Sequence, residues 1–328
     1  MSTIRRTRIV VIGGGHNCEH EVSLATAASV RAALDPARYD VVPLTIARDG
    51  AWVDTSGERL DGIADALAVI QEADVVFPAV HGPRGEDGML AALCELAGVP
   101  YVGSGVRAGA VAMDKWATKL VAEALGVRTA AGLLVTDAAE PAGLPALPVI
   151  VKPVAAGSSH GVTRVDPGDH AEADLAQALK AALAIDDRAL VEELVTGREV
   201  DIAILGLPSG GRWVGPPLEI VVDDGAFFDT EKKYDGSADF RLPADLTAAE
   251  LAELESAALA LFDGLGCAGV ARFDFFVTAD GLVLNEVNTM PGMTEQSQVP
   301  KMFAEAGLPY PALLDLLVEE ALRRPAAT

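Results

Sequence analysis

Short apolar runs alternate with amphipathic stretches through the N-terminal third of the chain. Arg8–Ile12 (RIVVI), Val41–Ile46 and Asp74–Ala79 have the length and continuous apolarity of buried strands. Glu21–Leu34, Ile63–Gln71 and Met89–Ala97 have helical apolar spacing, and Gly98 stops the last of them. A strand, the turn Gly13-Gly14-Gly15 and then a helix is how an open α/β sheet begins. Asp114 can cap a further helix, Lys115–Leu125, which Gly126 ends. The pattern then changes. Val149–Lys152, Val162–Val165, Ala189–Glu193 and Arg198–Leu205 are short strands bounded by turns, which predicts an antiparallel module. Helices are expected over about Glu172–Ala184 and Leu246–Leu265. Ala138–Pro148 reads as a loose connection. Asp223–Pro243 reads as a long polar loop, a length that marks a lid or a disordered segment.

Ala271–Asn288 (ARFDFFVTADGLVLNEVN) reads as a β-hairpin closed by Ala279-Asp280-Gly281. Register decides its meaning. A two-residue Asp280-Gly281 turn would put Asp274 and Glu286 on opposite faces. A three-residue loop pairs Thr278 with Leu282, so that Asp274 faces Glu286 and Arg272 faces Asn288. The second register is favoured. It puts Phe273, Phe275, Val277, Val283, Asn285 and Val287 on a core face and Arg272, Asp274, Phe276, Leu284, Glu286 and Asn288 on the other. Facing carboxylates repel. Either an Arg-Asp-Glu surface network offsets this, or the two acids and the Asn288 carbonyl form a hard-oxygen set suited to Mg²⁺. The hairpin alone leaves both open. The tight loop Asn288–Thr294 beside it, with its backbone N–H groups, favours the metal.

Composition narrows the setting. The chain has 328 residues, enough for two or three domains. No apolar run is long enough to span a bilayer and no signal peptide is apparent, which predicts a cytoplasmic protein. Cys18, Cys94 and Cys267 have no paired spacing, so neither a disulfide framework nor a zinc site is indicated. A net charge of −23 argues against nucleic acid as a partner, but not against a nucleotide met by a few local lysines. G-x-G-x-x-G fails at Cys18, and no Walker motif is present. His81–Gly88 is polar, glycine-rich and at a strand end, which makes it a site candidate. The small-residue loop Ala156–Val162, with a strand lysine at Lys152, suits covering phosphates. Glu19, on residue physics alone, reads as a first-turn acid complementing a helix dipole.

Several motifs stand in one order: Glu19-His20-Glu21-Val22-Ser23, His81-Gly82 with Gly85-Glu86-Asp87-Gly88, Ser104-Gly105-Val106, Met113-Asp114-Lys115, Val151-Lys152-Pro153 with Gly157-Ser158-Ser159, Lys233-Tyr234, Arg272 with Asp274, and Glu286 through Thr294. Together they resemble the D-alanine–D-alanine ligases of the ATP-grasp superfamily, from Arg8 to about Glu320. The resemblance implies an N-terminal open α/β domain (residues 1–113), a central ATP-grasp subdomain (114–208) and a C-terminal subdomain with metals and lid (209–328). ATP would lie between two antiparallel sheets. By this likeness Lys115 and Lys152 bind phosphates, with Ser158, Ser159 and Lys233 beside the nucleotide. Glu192, Glu193 and Glu199 line the adenosine. Asp274, Glu286 and Asn288 hold two Mg²⁺ or Mn²⁺ ions, and a monovalent cation is a further candidate. Glu19 holds the first D-alanine's ammonium, with Ser158 and Tyr234 as its network partners and His81 nearby. Arg272 and the Gly292 N–H face the tetrahedral intermediate, and Lys233 and Ser297 the second substrate's carboxylate. The implied activity is ATP-dependent formation of D-alanyl-D-alanine for peptidoglycan, by a cytoplasmic homodimer acting on D-alanine and ATP.

Three positions depart from the family pattern. Thr230 stands where a Tyr is common, Gln298 follows Ser297 where an apolar residue is usual, and Glu193 replaces a frequent lysine. They keep a second reading open, a related ligase joining other small amino or hydroxy acids. A non-catalytic nucleotide binder is a third, and Arg272 argues against it, because a pure binder has no use for an oxyanion arginine.

Overall fold

The structure, a computed structural model, describes residues 5–137, 143–221 and 239–324. Its first sheet is built from β1 (Thr7–Gly14), β2 (Tyr39–Ile46), β3 (Trp52–Val53) and β4 (Val75–Pro78), in the order β3-β2-β1-β4. β1 runs parallel to β2 and β4. Parallel neighbours need crossovers, and α1 (His20–Ala33) and α2 (Ile63–Gln71) supply them. Ile9, Val10, Val11 and Ile12 are all buried, which explains why β1 reads as a continuous apolar run. α3 (Met89–Ala97) ends at Gly98 in the left-handed region, as its sequence predicts. α4 (Val106–Met113) and α5 (Lys115–Ala124) meet at Asp114, whose side chain accepts the Ala117 N–H at 2.8 Å.

The second sheet is antiparallel, ordered β5-β8-β6-β7 from β5 (Gly132–Val135), β6 (Val149–Pro153), β7 (Thr163–Val165) and β8 (Ala189–Glu193). α6 (Ala171–Leu183) covers one face through Ala178, Leu179 and Ala182. β5 lies outside the predicted elements. It follows the Gly126 helix stop closely and is too short to show a period.

The third sheet holds β9 (Arg198–Gly206), β10 (Arg212–Val214), β11 (Leu218–Val221), β12 (Asp239–Arg241), β13 (Val270–Thr278) and β14 (Gly281–Asn288), in the order β12-β11-β9-β13-β14 with β10 also on β9. α7 (Ala248–Leu265) packs Leu254, Ala258, Leu261 and Phe262 against Phe273 and Phe275 of β13. The expected loop Asp223–Pro243 is shorter at its far end, because Asp239–Arg241 pairs with β11. The earlier part of that segment lies outside the described residues, as do residues 138–142 of the Ala138–Pro148 connection. α7 begins under a reciprocal cap. Thr247 Oγ1 accepts the Glu250 N–H at 3.2 Å, and the Glu250 carboxylate accepts the Thr247 N–H at 2.7 Å. Thr247→Ala is therefore expected to lower stability by about 1 kcal/mol without changing turnover, read by chemical denaturation and a rate assay.

The hairpin reaches the expected pairing by an unexpected route. Thr278 pairs with Gly281, so the turn is only Ala279-Asp280. A β-bulge then leaves Asn285 as an extra residue and restores Asp274 opposite Glu286 and Arg272 opposite Asn288. The outer half of β14 is consequently inverted relative to expectation. Leu284 joins the core and Val283 faces the other way with Phe276.

α8 (Gln298–Glu305) and α9 (Tyr310–Arg323) also go beyond the predicted elements. Leu313, Leu314, Leu317, Val318 and Ala321 of α9 are buried in one cluster with Ile9, Val11, Val75 and Phe77 of the first sheet and Ala203, Leu205 and Leu218 of the third. That cluster fixes the first sheet to the third. Among the described residues no helix is long and apolar enough to cross a membrane.

Candidate active site

A cleft of about 450 Å³ opens between the second and third sheets. β6 and β8 supply Lys152 and Glu192 to it, β9 supplies Glu199, and β13 and β14 supply Phe276, Val283 and Glu286. Lys115, at the start of α5, reaches in from the side. Its ammonium donates to the Ala156 carbonyl at 2.7 Å and lies 3.8 Å from Glu286. Deeper in, Glu192 is buried between two ammonium groups, Lys152 and Lys119, each at 2.5 Å. Burial pushes the Glu192 carboxyl up, but the charges of Lys152 and Lys119 and their hydrogen bonds overcome it and hold Glu192 below the ordinary range. Glu193 sits at the mouth, exposed, with its carboxylate accepting the Ala131 N–H at 2.9 Å. Ser159 and His160 line the same cleft.

The loop after β6 carries Ser158 and Ser159 at φ +50° and +55°, a left-handed conformation uncommon for residues with a side chain. It swings the Ser158 hydroxyl 2.5 Å from Glu19 Oε1. Glu19 is thus not a solvated first-turn acid. It caps the N-terminal end of α1 without a side-chain cap bond and is buried between two glycines. A Cβ at Gly157 would fall 2.4 Å from Glu19 Oε2, and one at Gly82 would fall 2.3 Å from it. Neither site tolerates a larger residue unless the carboxylate moves. Gly157→Ala is accordingly expected to displace the loop and weaken turnover while the melting temperature stays within a few degrees of the parent, because the loop is away from the main cores.

Glu19 Oε2 is buried with no hydrogen-bond partner. Such an atom is costly unless a donor arrives. Burial, then the charge of Glu86, raise the Glu19 carboxyl above its ordinary value; Ser158 and His81 act the other way without reversing the sense. His81 is buried too. Its ring reaches the Thr26 hydroxyl at 2.8 Å and the Met290 carbonyl at 2.9 Å. Burial would push His81 down, yet the hydrogen bond and charge of Glu86, with Glu19 behind, carry it above the ordinary imidazole value.

Arg272 and Asp274 form a bidentate pair on β13, with both contacts at 2.7 Å. Asp201 of β9 lies 3.6 Å from the same guanidinium. Burial opposes the charge on Arg272, but Asp274, then Asp201 and Glu286, hold its pKa well above the ordinary value. Oxygen donors converge here. Asp274 faces Glu286 across the hairpin, and Asn288 Oδ1 is buried with no hydrogen-bond partner. Carboxylate oxygens keep further lone pairs after a bidentate arginine, so this set fits a hard cation. Among the described residues no group of three or more His, Cys, Asp or Glu side chains has metal-site spacing, and the oxygen set here consists of two carboxylates and the Asn288 amide.

The loop after β14 is held at both ends. His81 binds the Met290 carbonyl, and the Tyr310 hydroxyl donates to the Met293 carbonyl at 2.5 Å. Between them lies Gly292, where a Cβ would come within 3.0 Å of Ser297 Oγ. Ser297 Oγ accepts the Thr294 N–H at 3.2 Å and shares a hydrogen bond with its hydroxyl at 2.7 Å. Lys233 and Tyr234, like Thr230, lie outside the described residues.

Family models match both parts of the chain. The D-ala D-ala ligase N-terminus covers residues 8–104 and the D-ala D-ala ligase C-terminus residues 137–319. The chain belongs to the D-alanine–D-alanine ligase family. It is 40% identical to the D-alanine–D-alanine ligase of Rhodococcus erythropolis, over 97% of this chain and 98% of the relative, and 41% identical to that of Frankia casuarinae, over 97% of each. Among solved structures it is similar to the VanG D-Ala:D-Ser ligase of Enterococcus faecalis, with TM-score 0.82, 32% identity and coverage of 97% of this chain and 100% of that one. It is also similar to the Bacillus anthracis D-alanine–D-alanine ligase complexed with ATP, with TM-score 0.78, 29% identity and coverage of 97% and 98%. The fold is accordingly that of an ATP-grasp ligase.

Four residues of this ligase-family site escape the sequence reading. Lys119 lies four positions after Lys115 on α5, a spacing that puts both on one helix face. Asp201 stands opposite Asp274 in the β9–β13 ladder. Asn17 donates to the His81 and Pro83 carbonyls at 2.7 and 2.8 Å, and its Oδ1 accepts the Glu19 N–H at 2.8 Å, tying the first glycine turn to the His81 loop. Tyr310 is the fourth. Of these only Lys119 stands at a telling spacing, four residues from Lys115, and that spacing is equally common on a solvated helix face.

Proposed function

We infer that this protein is an ATP-dependent ligase that joins two D-alanines into D-alanyl-D-alanine for peptidoglycan precursor synthesis. The observation that carries the reading is the buried, unpartnered Glu19 oxygen, enclosed by Gly82 and Gly157, with the Ser158 hydroxyl on its other oxygen. An acceptor so placed suits a substrate ammonium. The first D-alanine's carboxylate oxygen attacks the γ-phosphorus of ATP, ADP leaves, and a D-alanyl phosphate forms. Lys115 and Lys152 neutralise phosphate charge during that transfer. The second D-alanine's amine, having lost a proton, attacks the acyl carbon, and inorganic phosphate departs from the tetrahedral intermediate. Arg272 and the Gly292 N–H face the developing oxyanion. Ser158 orients Glu19, and His81 holds the Gly292 loop through Met290. Glu192, Glu193 and Glu199 line the nucleoside side of the cleft. By the family likeness, Ser297 with Lys233 would receive the second carboxylate and Tyr234 would belong to the network around Glu19.

Asp274, Glu286 and Asn288 would hold two Mg²⁺ or Mn²⁺ ions, which supply charge neutralisation on the β- and γ-phosphates when bound. Glu286→Gln is expected to abolish turnover while leaving the melting temperature of the nucleotide-free protein near the parent's. Turnover that survives excess chelator would remove the metal from this account. A cytoplasmic homodimer, with a monovalent cation as an additional ion, completes the proposal. The domain limits proposed are 1–113, 114–208 and 209–328, and the pairing of β9 with β11 and β13 favours moving the last boundary back to Arg198.

Gln298, the first residue of α8 after Ser297, favours a second reading in which the second substrate is a polar amino acid or a hydroxy acid. Likeness to a D-Ala:D-Ser ligase points the same way. One experiment separates the two. ADP release is measured across D- and L-amino acids and 2-hydroxy acids, and product masses are determined. D-alanyl-D-alanine as the preferred product supports the first reading. A mixed product at higher kcat/KM replaces it with the second, and ADP release with no D-amino acid sinks both.

A further inference from the structure

Lys119 has no place in the ligase chemistry just described, yet among the described residues it is, with Lys152, a buried lysine. Its ammonium donates to the Ala130 carbonyl and to Glu192 Oε1, the latter at 2.5 Å. Glu192 Oε2 meets Lys152 at the same distance. The two lysines differ in one respect: Lys152 lines the cleft and Lys119 does not. Two ammonium groups and one carboxylate, all buried, leave one positive charge in excess. Desolvated charge is costly unless an opposite charge compensates it. The excess lies on the cleft side, where an anion can reach Lys152 but not Lys119.

We propose that Lys119 is a positioning residue for nucleotide binding: it keeps the Glu192 carboxylate neutralised so that Lys152 can turn from it to the phosphates of ATP. The inference rests on reading the cleft as the nucleotide site. With Lys119 present, Glu192 keeps a charged partner when Lys152 moves. Without it, Glu192 and Lys152 form a balanced buried pair, and a phosphate can claim Lys152 only by leaving a bare carboxylate behind. Helix α5 thereby acts twice, through Lys115 toward the Ala156 loop and Glu286, and through Lys119 toward Glu192.

The test is calorimetric titration of the full chain with ADP and with adenosine in saturating Mg²⁺, on the parent, Lys119→Met, Glu192→Gln and the double variant. Lys119→Met should weaken ADP by at least about tenfold, the size of a lost charge-assisted contact, and adenosine by less than about threefold. In the Glu192→Gln background the same substitution should cost ADP nothing further, because no carboxylate remains to hold Lys152. A purely structural Lys119 would weaken both ligands in both backgrounds. The inference is overturned if Lys119→Met binds ADP as the parent does, if adenosine weakens equally, or if the loss persists beside Gln at position 192. Should Lys119→Met not fold, the double variant carries the test, since it leaves the cluster with the same single excess positive charge as the parent, on Lys152, and ADP affinity well below that of Glu192→Gln then overturns the proposal. A parent that binds ADP no better than adenosine would instead refute the nucleotide reading of the cleft.

Discussion

Arg272→Met is expected to reduce kcat by roughly 10²–10³-fold, the cost of removing one preorganised oxyanion donor. It should also destabilise the protein by about 3–5 kcal/mol, because breaking a buried ion pair leaves its partner charged and unpaired. The partner is identifiable: both Asp274 oxygens face the guanidinium at 2.7 Å, and Asp201 is next to it. Arg272→Lys separates the two effects. A lysine restores the charge that Asp274 needs but lacks the planar fork. Denaturation should therefore find the Lys variant much closer to the parent than the Met variant, while single-turnover kinetics find both slow. A Lys variant with near-parent kcat would mean that Arg272 acts only as a counter-ion for the acids around it.

Much of the fold is legible in the sequence because its elements obey simple periods. β1 reads as a strand since four consecutive apolar residues are all buried between helices. α3 and α5 read as helices with definite ends because Gly98 and Asp114 perform the local chemistry their residue types favour. The bulge in β14 is different. Leu282, Val283 and Leu284 are all apolar, so either inward alternation satisfies the pattern, and only pairing with β13 determines that Asn285 is the extra residue. α9 has a clear helical stripe, but its function is to join the first and third sheets, which no local signal states.

The site divides along the same line. The facing of Asp274 with Glu286 and of Arg272 with Asn288 is found by reasoning about one hairpin, because it is local to it. Glu19 is not, since its surroundings come from Gly82 in the first unit and Gly157 in the second, far apart in sequence. Physical reading of the isolated segment assigns Glu19 to a helix dipole, and only the tertiary arrangement reveals a buried carboxylate. Asp201 and Lys119 are hidden for a related reason. A single acid in an apolar strand and a second lysine on a polar helix face are common surface features until the opposing elements, β13 and β8, are known.

Glu19→Gln should change affinity and stability in opposite directions. In the closed site Glu19 Oε2 awaits a donor, and the loss of a charge-assisted hydrogen bond to the first D-alanine's ammonium costs roughly 1.5–3 kcal/mol. That is a rise of roughly ten- to over a hundredfold in KM for the first D-amino acid, with KM for ATP largely unchanged. Stability moves the other way. Burial and Glu86 raise the folded-state pKa of Glu19, so the folded chain binds this proton more tightly than the unfolded chain does. The contribution is fully present below the ordinary carboxylate value and is lost as pH rises through the raised folded value. Above that window the ionised Glu19 burdens the empty protein, and Gln, with the same shape and no charge, relieves it. Melting temperatures without substrate should coincide at acidic pH and diverge in favour of the Gln variant toward neutrality. Adding D-alanine should reverse the order, since only the parent gains a counter-ion. A Gln variant that melts lower than the parent at every pH, with both KM values unchanged, would return Glu19 to the role of a helix-end acid and move the first-substrate pocket elsewhere.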